Sequence, residues 1–180
     1  MTTLLTLLDV GIPNPEGVDV DSLLSSLSSV ANEVIKSGSG IGFNKPFADP
    51  ASPLCPLFQY FKSKTIEPGS SLLIAHDRAF VPLGALVLAN TLASSRGQAK
   101  RHRVDVQCFF TDPMLRGNGV GSLLLAQAEA FARSLSPKVT HLTLDARSTQ
   151  TSAISLYEQA GFKVWGTLED YAIGEKWRGH

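Results

Sequence analysis

The chain has 180 residues, of which 43% are hydrophobic and 18% are charged. This length and composition favour one globular domain spanning residues 1–180 and exclude a disordered or fibrous chain. The 16 basic residues balance the 16 acidic residues, so we expect neither a nucleic-acid partner nor binding to an anionic membrane.

The first part of the chain is predicted to form a strand and a helix. Weak alternation of apolar residues indicates a strand over residues 4–10. A run at helical spacing follows from Asp21, where Asp19 or Asp21 can cap the helix and Gly38 can end it. Residues 37–53 are rich in Gly, Ser and Pro and too long for a simple connection. We therefore expect this stretch to line a functional site.

The rest of the chain alternates between strands and helices. A second helix is expected over residues 56–64, and two apolar runs, residues 70–77 and 79–89, are typical of a hairpin. Further strands are predicted over residues 104–111, 139–146 and 162–173, separated by helices over residues 119–135 and 151–161. Helices between strands indicate crossovers that cover a sheet, so the predicted fold class is α/β with a mixed sheet.

The cysteine count bears on the compartment. Cys55 and Cys108 lie far apart in the sequence, which is typical of a reducing compartment rather than of a disulfide framework. No apolar run reaches the length of a membrane span, and the N-terminus lacks the basic residues of a signal peptide. We therefore expect a cytoplasmic protein without a membrane partner, and a nuclear location stays open. The histidines show no metal-ligand spacing, so no metal site is predicted.

Three glycines stand at the predicted start of the helix over residues 119–135. A helix start leaves about four backbone N–H groups without internal partners, and these groups carry the positive end of the helix dipole. Glycines let an anion approach such amides directly. The sequence therefore predicts an anion site, although a glycine-rich turn that only caps the helix is the alternative. The residues of the predicted anion site are Arg116, Gly117, Asn118, Gly119, Val120, Gly121 and Ser122.

Two nucleotide motifs do not fit these glycines. A dinucleotide fingerprint would need a third glycine where Ser122 stands, and no Gly-Lys-Ser/Thr ending exists for a Walker A loop. The pattern that fits is R-x-x-G-x-G, at Arg116, Gly119 and Gly121, followed by "AISLYEQAGF" at residues 153–162. Together the two motifs resemble the GNAT superfamily of acyl-CoA-dependent N-acetyltransferases. Within it, "LTLDA" and "EDYAIGEKWRG" are similar to the tabtoxin-resistance-like small-molecule acetyltransferases.

The resemblance implies a fold and a co-substrate. The fold would be a GNAT-like, mostly antiparallel sheet flanked by helices and splayed between two central strands, with residues 104–166 as its motif-bearing core. The co-substrate would be acetyl-CoA, with its pyrophosphate on the amides of residues 116–122. Its pantetheine arm would follow the strand backbone at Phe109, Phe110 and Thr111, as an added strand would. Gln150 stands where the family often has an Asn that helps to hold CoA.

The resemblance also implies catalytic roles and a small-molecule amine as acceptor. Tyr157 matches the tyrosine that often protonates the leaving thiolate, and a phenol with a pKa near ~10 can serve a thiol with a pKa near ~8.5. Asp105 or Asp145 could border the splay and accept the proton of the amine. A chain of waters is the alternative, because many members of the family have no dedicated base.

Two other functions and one structural question stay open. A non-catalytic acyl-CoA-binding or sensing module could use the same scaffold, and so could a protein or histone acetyltransferase, although neutral charge gives no support for a basic peptide substrate. The family fold usually ends with a strand after "EDYAIG", but only "EKWRGH" follows here. That strand is therefore missing, formed in another way, or supplied by the second subunit of a homodimer.

Overall fold

The computed structural model describes residues 2–9, 14, 16–39, 41–90, 102–135 and 139–169. Within them the chain forms five strands and four helices. The strands are β1 (Leu4–Asp9), β2 (Ser70–His76), β3 (Pro82–Asn90), β4 (Arg103–Thr111) and β5 (His141–Thr143). The helices are α1 (Val20–Lys36), α2 (Pro56–Ile66), α3 (Val120–Ser134) and α4 (Thr151–Gln159). None of the helices in these ranges is long and apolar enough to cross a membrane.

The strands form one sheet in the order β1-β2-β3-β4-β5. The first three pairings are antiparallel, and β5 pairs with β4 in parallel. The parallel pairing follows from α3, which carries the chain across the sheet between β4 and β5. A mixed, mostly antiparallel sheet flanked by helices is thus confirmed.

Helices cover both faces of the sheet and make two apolar layers. On one face, α1 and α2 pack on alternate residues of the strands, such as Leu72, Ile74 and Val87. On the other face, α3 packs on Leu73, Leu86 and their neighbours. Every residue of β2 is buried. A strand covered on both faces loses the polar–apolar alternation of a half-exposed strand, which is why β2 and β3 stand out as continuous apolar runs.

Two sequence expectations are resolved at the elements' ends. Asp19, rather than Asp21, caps α1, because its side chain accepts a hydrogen bond from the backbone N–H of Ser22 at 3.4 Å. The hydrogen bonds from Ser22 lower the pKa of the Asp19 carboxyl.

The strand predicted over residues 162–173 is wrong for residues 162–169, which form no strand. Residues 170–173 lie outside the described residues. A strand needs a hydrogen-bonded neighbour, and β5 ends after three residues without offering one.

Candidate active site

The strand β4 carries a β-bulge near its C-terminal end. Ala85 pairs with Phe110 but Val87 pairs with Gln107, so β4 has one residue more than β3 across this interval. Cys108 lies in the bulge with a φ of 47°, in the left-handed region that non-glycine residues seldom adopt. The bulge interrupts the ladder and leaves local backbone groups without their usual partners. Such strained, unpaired backbone is common beside active sites.

The bulge also redirects the side chains of β4. Val104 and Val106 belong to the apolar layer under α3, and Phe109 packs against that same layer. Cys108 and Phe110 instead pack in the layer under α1 and α2. The reaction site that the sequence predicts at residues 109–111 is therefore approached from two sides by different helices.

The strands β4 and β5 separate just before the bulge. Their pairing ends at Asp105 and Thr143, while β4 continues to Thr111. Beyond Asp105, this edge of β4 has no strand partner in the described part of the chain. The strands thus separate between β4 and β5, where the splay was predicted, but in the described residues β5 is the edge strand of the sheet and not a central one.

The loop after β4 presents a bare helix start. Asp112 accepts a hydrogen bond from Met114 N at 2.9 Å and so begins a 3₁₀ turn over Pro113–Leu115. Gly117 and Gly119 have φ values of 82° and 78°, which only glycine adopts without strain. The first hydrogen bond of α3 runs from Leu123 N to Gly119 O at 3.0 Å. Over the described residues, the N–H groups of Val120, Gly121 and Ser122 find no backbone acceptor outside the helix.

Gly121 is needed for a different reason from the two glycines before it. A Cβ placed there would lie 2.9 Å from Leu156 Cδ2 and 3.4 Å from Phe109 Cζ. Its lack of a side chain lets the start of α3 approach both α4 and the bulge. The glycine motif therefore combines a turn, exposed amides and a close helix contact.

Tyr157 on α4 lies against the bulge from the α3 side. Its ring centroid is 5.8 Å from that of Phe109 and 6.0 Å from that of Phe162. The ring is half-buried, and desolvation raises the pKa of the Tyr157 hydroxyl to about 12. The phenol therefore keeps its proton at neutral pH and is a hydrogen-bond donor beside β4.

Cys108 and Tyr60 occupy the opposite side of the bulge, and sequence reasoning did not select either for the site. Burial raises the pKa of the Cys108 thiol to about 12, against a partial opposing effect of its hydrogen bond with Tyr60. Burial likewise raises the pKa of Tyr60. Both groups are neutral. The only sequence signal for Tyr60 was its place on a helix that follows the Gly/Ser/Pro-rich loop.

The two aspartates occupy different environments. Asp105 stands on the last rung of the β4–β5 pairing. It forms an ion pair with Arg103, with Nε 3.0 Å from Oδ1, and it accepts one hydrogen bond from Arg103 Nη2 at 3.3 Å and one from the Thr143 hydroxyl. The Thr143 bond joins the two strands where they begin to separate, and Arg103, two residues away on β4, orients the carboxylate. Asp145 is exposed just beyond β5.

Gln150, the predicted CoA contact, is the N-cap residue of α4. Its side chain accepts a 3.4 Å hydrogen bond from Arg147 N.

The comparisons with known proteins agree on one family. The model of the GNAT acetyltransferase family matches residues 43–162. The chain is 30% identical to the streptothricin acetyltransferase of Streptomyces lavendulae over 142 residues, which cover 79% of this chain and 73% of that protein.

Solved structures show the same fold. A GNAT-family acetyltransferase from Streptococcus pneumoniae superposes with a TM-score of 0.68 at 18% identity, covering 98% of this chain and 94% of that one. A predicted acetyltransferase from Clostridium acetobutylicum, solved with acetyl-CoA, gives a TM-score of 0.56 at 15% identity, covering 96% and 95%. Combined with the bare helix start and the bulge, these matches establish that the chain belongs to the GNAT family and is an N-acetyltransferase of the kind that uses acetyl-CoA.

Proposed function

We propose that the protein transfers an acetyl group from acetyl-CoA directly to the primary amine of a small molecule. The observation that carries the proposal is the convergence of three features on one end of β4. They are the bare amides at the start of α3, the bulge at Cys108, and the half-buried hydroxyl of Tyr157. A direct transfer needs all three, because the donor must be held, its carbonyl polarised and its thiol protonated.

The residues at the start of α3 fit the diphosphate of CoA. Backbone N–H groups at Val120, Gly121 and Ser122 point out of the first turn, and the exposed Arg116 adds a positive charge beside them. Glycines at 117 and 119 leave the approach open, since nothing lies within 4 Å of a Cβ built at either position. Amides and a helix dipole together favour a doubly charged anion. Gln150, at the start of α4, is a further proposed contact.

The bulge supplies the backbone for the acyl end. The open edge of β4 at Phe109, Phe110 and Thr111 can pair with an extended ligand as a neighbouring strand would. A backbone N–H there would stabilise the negative charge that develops on a carbonyl oxygen under attack. This role needs the backbone geometry of the bulge more than the side chains of its residues.

Tyr157 is the proposed general acid. Its phenol pKa of about 12 lies above that of an exposed thiol, which alone would disfavour proton transfer. However, exclusion of water also raises the pKa of a leaving thiol, because burial disfavours the charged thiolate. A leaving thiolate that is desolvated to the same degree would match Tyr157, and the transfer would cost little.

The proton of the amine has two proposed acceptors. Asp105 is held by Arg103 and Thr143, so we assign it chiefly to fixing the splay. Asp145 is exposed at the end of β5 and can accept a proton through water. The small-molecule acceptor is supported by the relative named as a streptothricin acetyltransferase.

A thiol-release assay tests this function. The wild-type protein is given acetyl-CoA and a panel of small amines, and each product is checked by mass spectrometry for one added acetyl group. S-acetyl-pantetheine, which has the same thioester but no diphosphate, is the matched control donor. We expect acetyl-CoA to be used far more efficiently, and we expect CoA to raise the melting temperature because it binds only the folded chain.

Three results would overturn the proposal. Equal use of both donors would mean that the start of α3 does not bind the diphosphate. A melting-temperature rise without turnover of any amine would indicate a non-catalytic CoA-binding module, whereas turnover of basic peptides alone would indicate a protein acetyltransferase.

A further inference from the structure

One buried side chain of α1 binds the backbone of the connection between α1 and α2. We call residues 41–55 the aromatic loop. Asn32 of α1, only 1% exposed, donates from Nδ2 to Phe47 O at 3.0 Å and accepts at Oδ1 from Phe47 N at 2.8 Å. Both backbone groups of Phe47 are thus satisfied by a single amide, as a neighbouring strand would satisfy them. The position of Phe47 is therefore set by α1.

Aromatic contacts continue from Phe47 towards the bulge. The Phe47 and Phe43 rings lie 5.6 Å apart with an interplanar angle of 77°, and the Phe43 and Tyr60 rings lie 5.9 Å apart at 84°. These are edge-to-face contacts, which favour one relative orientation of the rings. The Tyr60 ring in turn lies 5.5 Å from that of Phe61, and the Phe61 ring lies 6.0 Å from that of Phe110 in β4, beside the bulge. A continuous set of contacts thus joins Asn32 to the end of β4 where the proposed chemistry takes place.

This set lies on the side of the sheet opposite Tyr157. Phe43, Phe47, Tyr60 and Cys108 all pack against the apolar layer under α1 and α2. Tyr157 instead contacts Phe109, which packs in the layer under α3. A donor bound at the start of α3 therefore leaves the α1/α2 side of the bulge for the acceptor.

The aromatic loop does not need Asn32 merely to connect α1 to α2. Ile41 and Cys55 at its ends are buried at 8% and 5% exposure, and they already anchor it to the core. Burying an amide is costly unless it is fully bonded, so a buried Asn at this place implies a demand for orientation. Phe43, Phe47 and Tyr60 are only half-buried, and part of each ring is open to a ligand.

We propose that Asn32 is a positioning residue that holds Phe43, Phe47 and Tyr60 as the acceptor-binding wall of the site. This proposal rests on the proposed function. The wall would take a small amine through ring contacts, to apolar groups or to a cationic group of the acceptor. Asn32 itself would touch neither substrate, and its effect would pass through the backbone of Phe47.

Steady-state kinetics of Asn32→Leu and Asn32→Asp test the assignment, with the amine that the panel identifies as best. Leu keeps the size of the side chain but removes both hydrogen bonds, and Asp keeps only the acceptor. We expect the KM for the amine to rise about tenfold or more in Asn32→Leu, which corresponds to ~1.4 kcal/mol. We expect a rise at least as large in Asn32→Asp, because its second carboxylate oxygen would be buried against Phe47 O. The KM for acetyl-CoA should stay within about twofold of wild type, because the start of α3 is untouched.

Two further variants make the result specific. Ser28→Ala is the matched control, because Ser28 is also buried in α1 but bonds only to Leu24 O at 2.8 Å within its own helix. We expect it to change neither KM. Phe43→Leu removes one ring while keeping an apolar side chain, and it should raise the amine KM with Asn32 intact. This variant keeps the proposal testable if Asn32→Leu does not fold.

The outcomes separate this proposal from the proposed function. If wild type acetylates amines but Asn32→Leu and Phe43→Leu leave the amine KM unchanged, Asn32 has no positioning role. If the KM for the amine and the KM for acetyl-CoA rise equally in Asn32→Leu, Asn32 supports only the fold. The proposal is then overturned, while the proposed function stands. If wild type turns over no amine, the function itself has failed.

Discussion

The two sides of the β4 bulge are built by different means. On the α3 side, the proposed donor site consists of glycines in left-handed conformation and unbonded helix amides, which are backbone groups. On the α1/α2 side, the proposed acceptor wall consists of three aromatic side chains, one of which has its backbone bonded to a buried amide. Under this proposal, the donor that the family shares would be bound by groups that every residue carries. The acceptor would be bound by side chains, which substitution can change.

The largest effect is expected at Tyr157, the one side chain on the backbone-built side to which we assign chemistry. Tyr157→Phe keeps the ring contacts with Phe109 and Phe162 but removes the proton that the thiolate needs. We expect kcat to fall by about 100-fold, within the range for a general acid, with the KM for acetyl-CoA little changed. Thiol release measures both constants, and the melting temperature reports the fold. A wild-type kcat in this variant would remove Tyr157 from the mechanism.

The next effect tests whether backbone geometry really binds the donor. Gly119→Val forces a β-branched residue into a φ of 78° at the start of α3, which costs ~1–2 kcal/mol, and puts a side chain where the diphosphate would sit. We expect the KM for acetyl-CoA to rise by about tenfold or more. Gly38→Val, at a φ of 82° beyond the end of α1, is the matched control. It should lower stability by a similar amount and leave that KM alone; equal effects on KM would contradict a binding role for Gly119.

Measuring the free energy of unfolding against pH compares how deeply Cys108 and Tyr157 are buried on the two sides of the bulge. Burial raises the pKa of Cys108 from 9.0 to about 12 and that of Tyr157 from 10.0 to about 12, so the unfolded chain loses these protons first. Both contributions are fully present below pH 9. The free energy of unfolding should then fall by ~1.4 kcal/mol per pH unit for each group that ionises in the unfolded chain. The decline should begin at pH 9 for Cys108 and at pH 10 for Tyr157 and for Tyr60, whose pKa burial also raises.

Urea denaturation at closely spaced pH values measures this decline. In Cys108→Ala we expect the decline that begins near pH 9 to disappear and that above pH 10 to remain. A variant that still loses stability from pH 9 would show that the thiol is not desolvated in the folded chain.

The smallest effect is expected at Asp105. Asp105→Asn weakens the two contacts with Arg103 but keeps an oxygen for Thr143, and the pair with Arg103 is one-third exposed. We expect a loss of at most ~1 kcal/mol in stability and a kcat within about twofold of wild type. Asp145→Asn, measured in parallel, tests the other proposed acceptor of the amine's proton. A large fall in kcat that appears only in Asp105→Asn would make Asp105 the base that deprotonates the amine.

The parts of the site that the sequence made predictable are those with strong local causes. The glycines at 117, 119 and 121 predicted a bare helix start, and in the structure Gly117 and Gly119 take left-handed conformations while Gly121 lies close to Leu156. The order of helices and strands followed from apolar spacing, and a parallel β4–β5 pair followed from the helix between them.

Other features depend on tertiary contacts that leave no local signal. The bulge places Cys108 at a positive φ although neither Gly nor Asn stands there, because packing against the α1/α2 layer decides its conformation. Asn32 and Phe47 are 15 residues apart, and nothing in either segment marks them as partners. Residues 162–169 have the composition of a strand but no strand to pair with in the described structure.

The pairing of Asn32 with the backbone of Phe47 has a consequence for engineering. Asn32 bonds only to a peptide N–H and a carbonyl, which any residue other than proline provides. A different sequence can therefore be grafted between Ile41 and Cys55 and still dock on α1 in the same place. Libraries can therefore vary the aromatic loop while leaving residues 112–122 intact. Under the proposed function, such variants would accept other amines and still use acetyl-CoA.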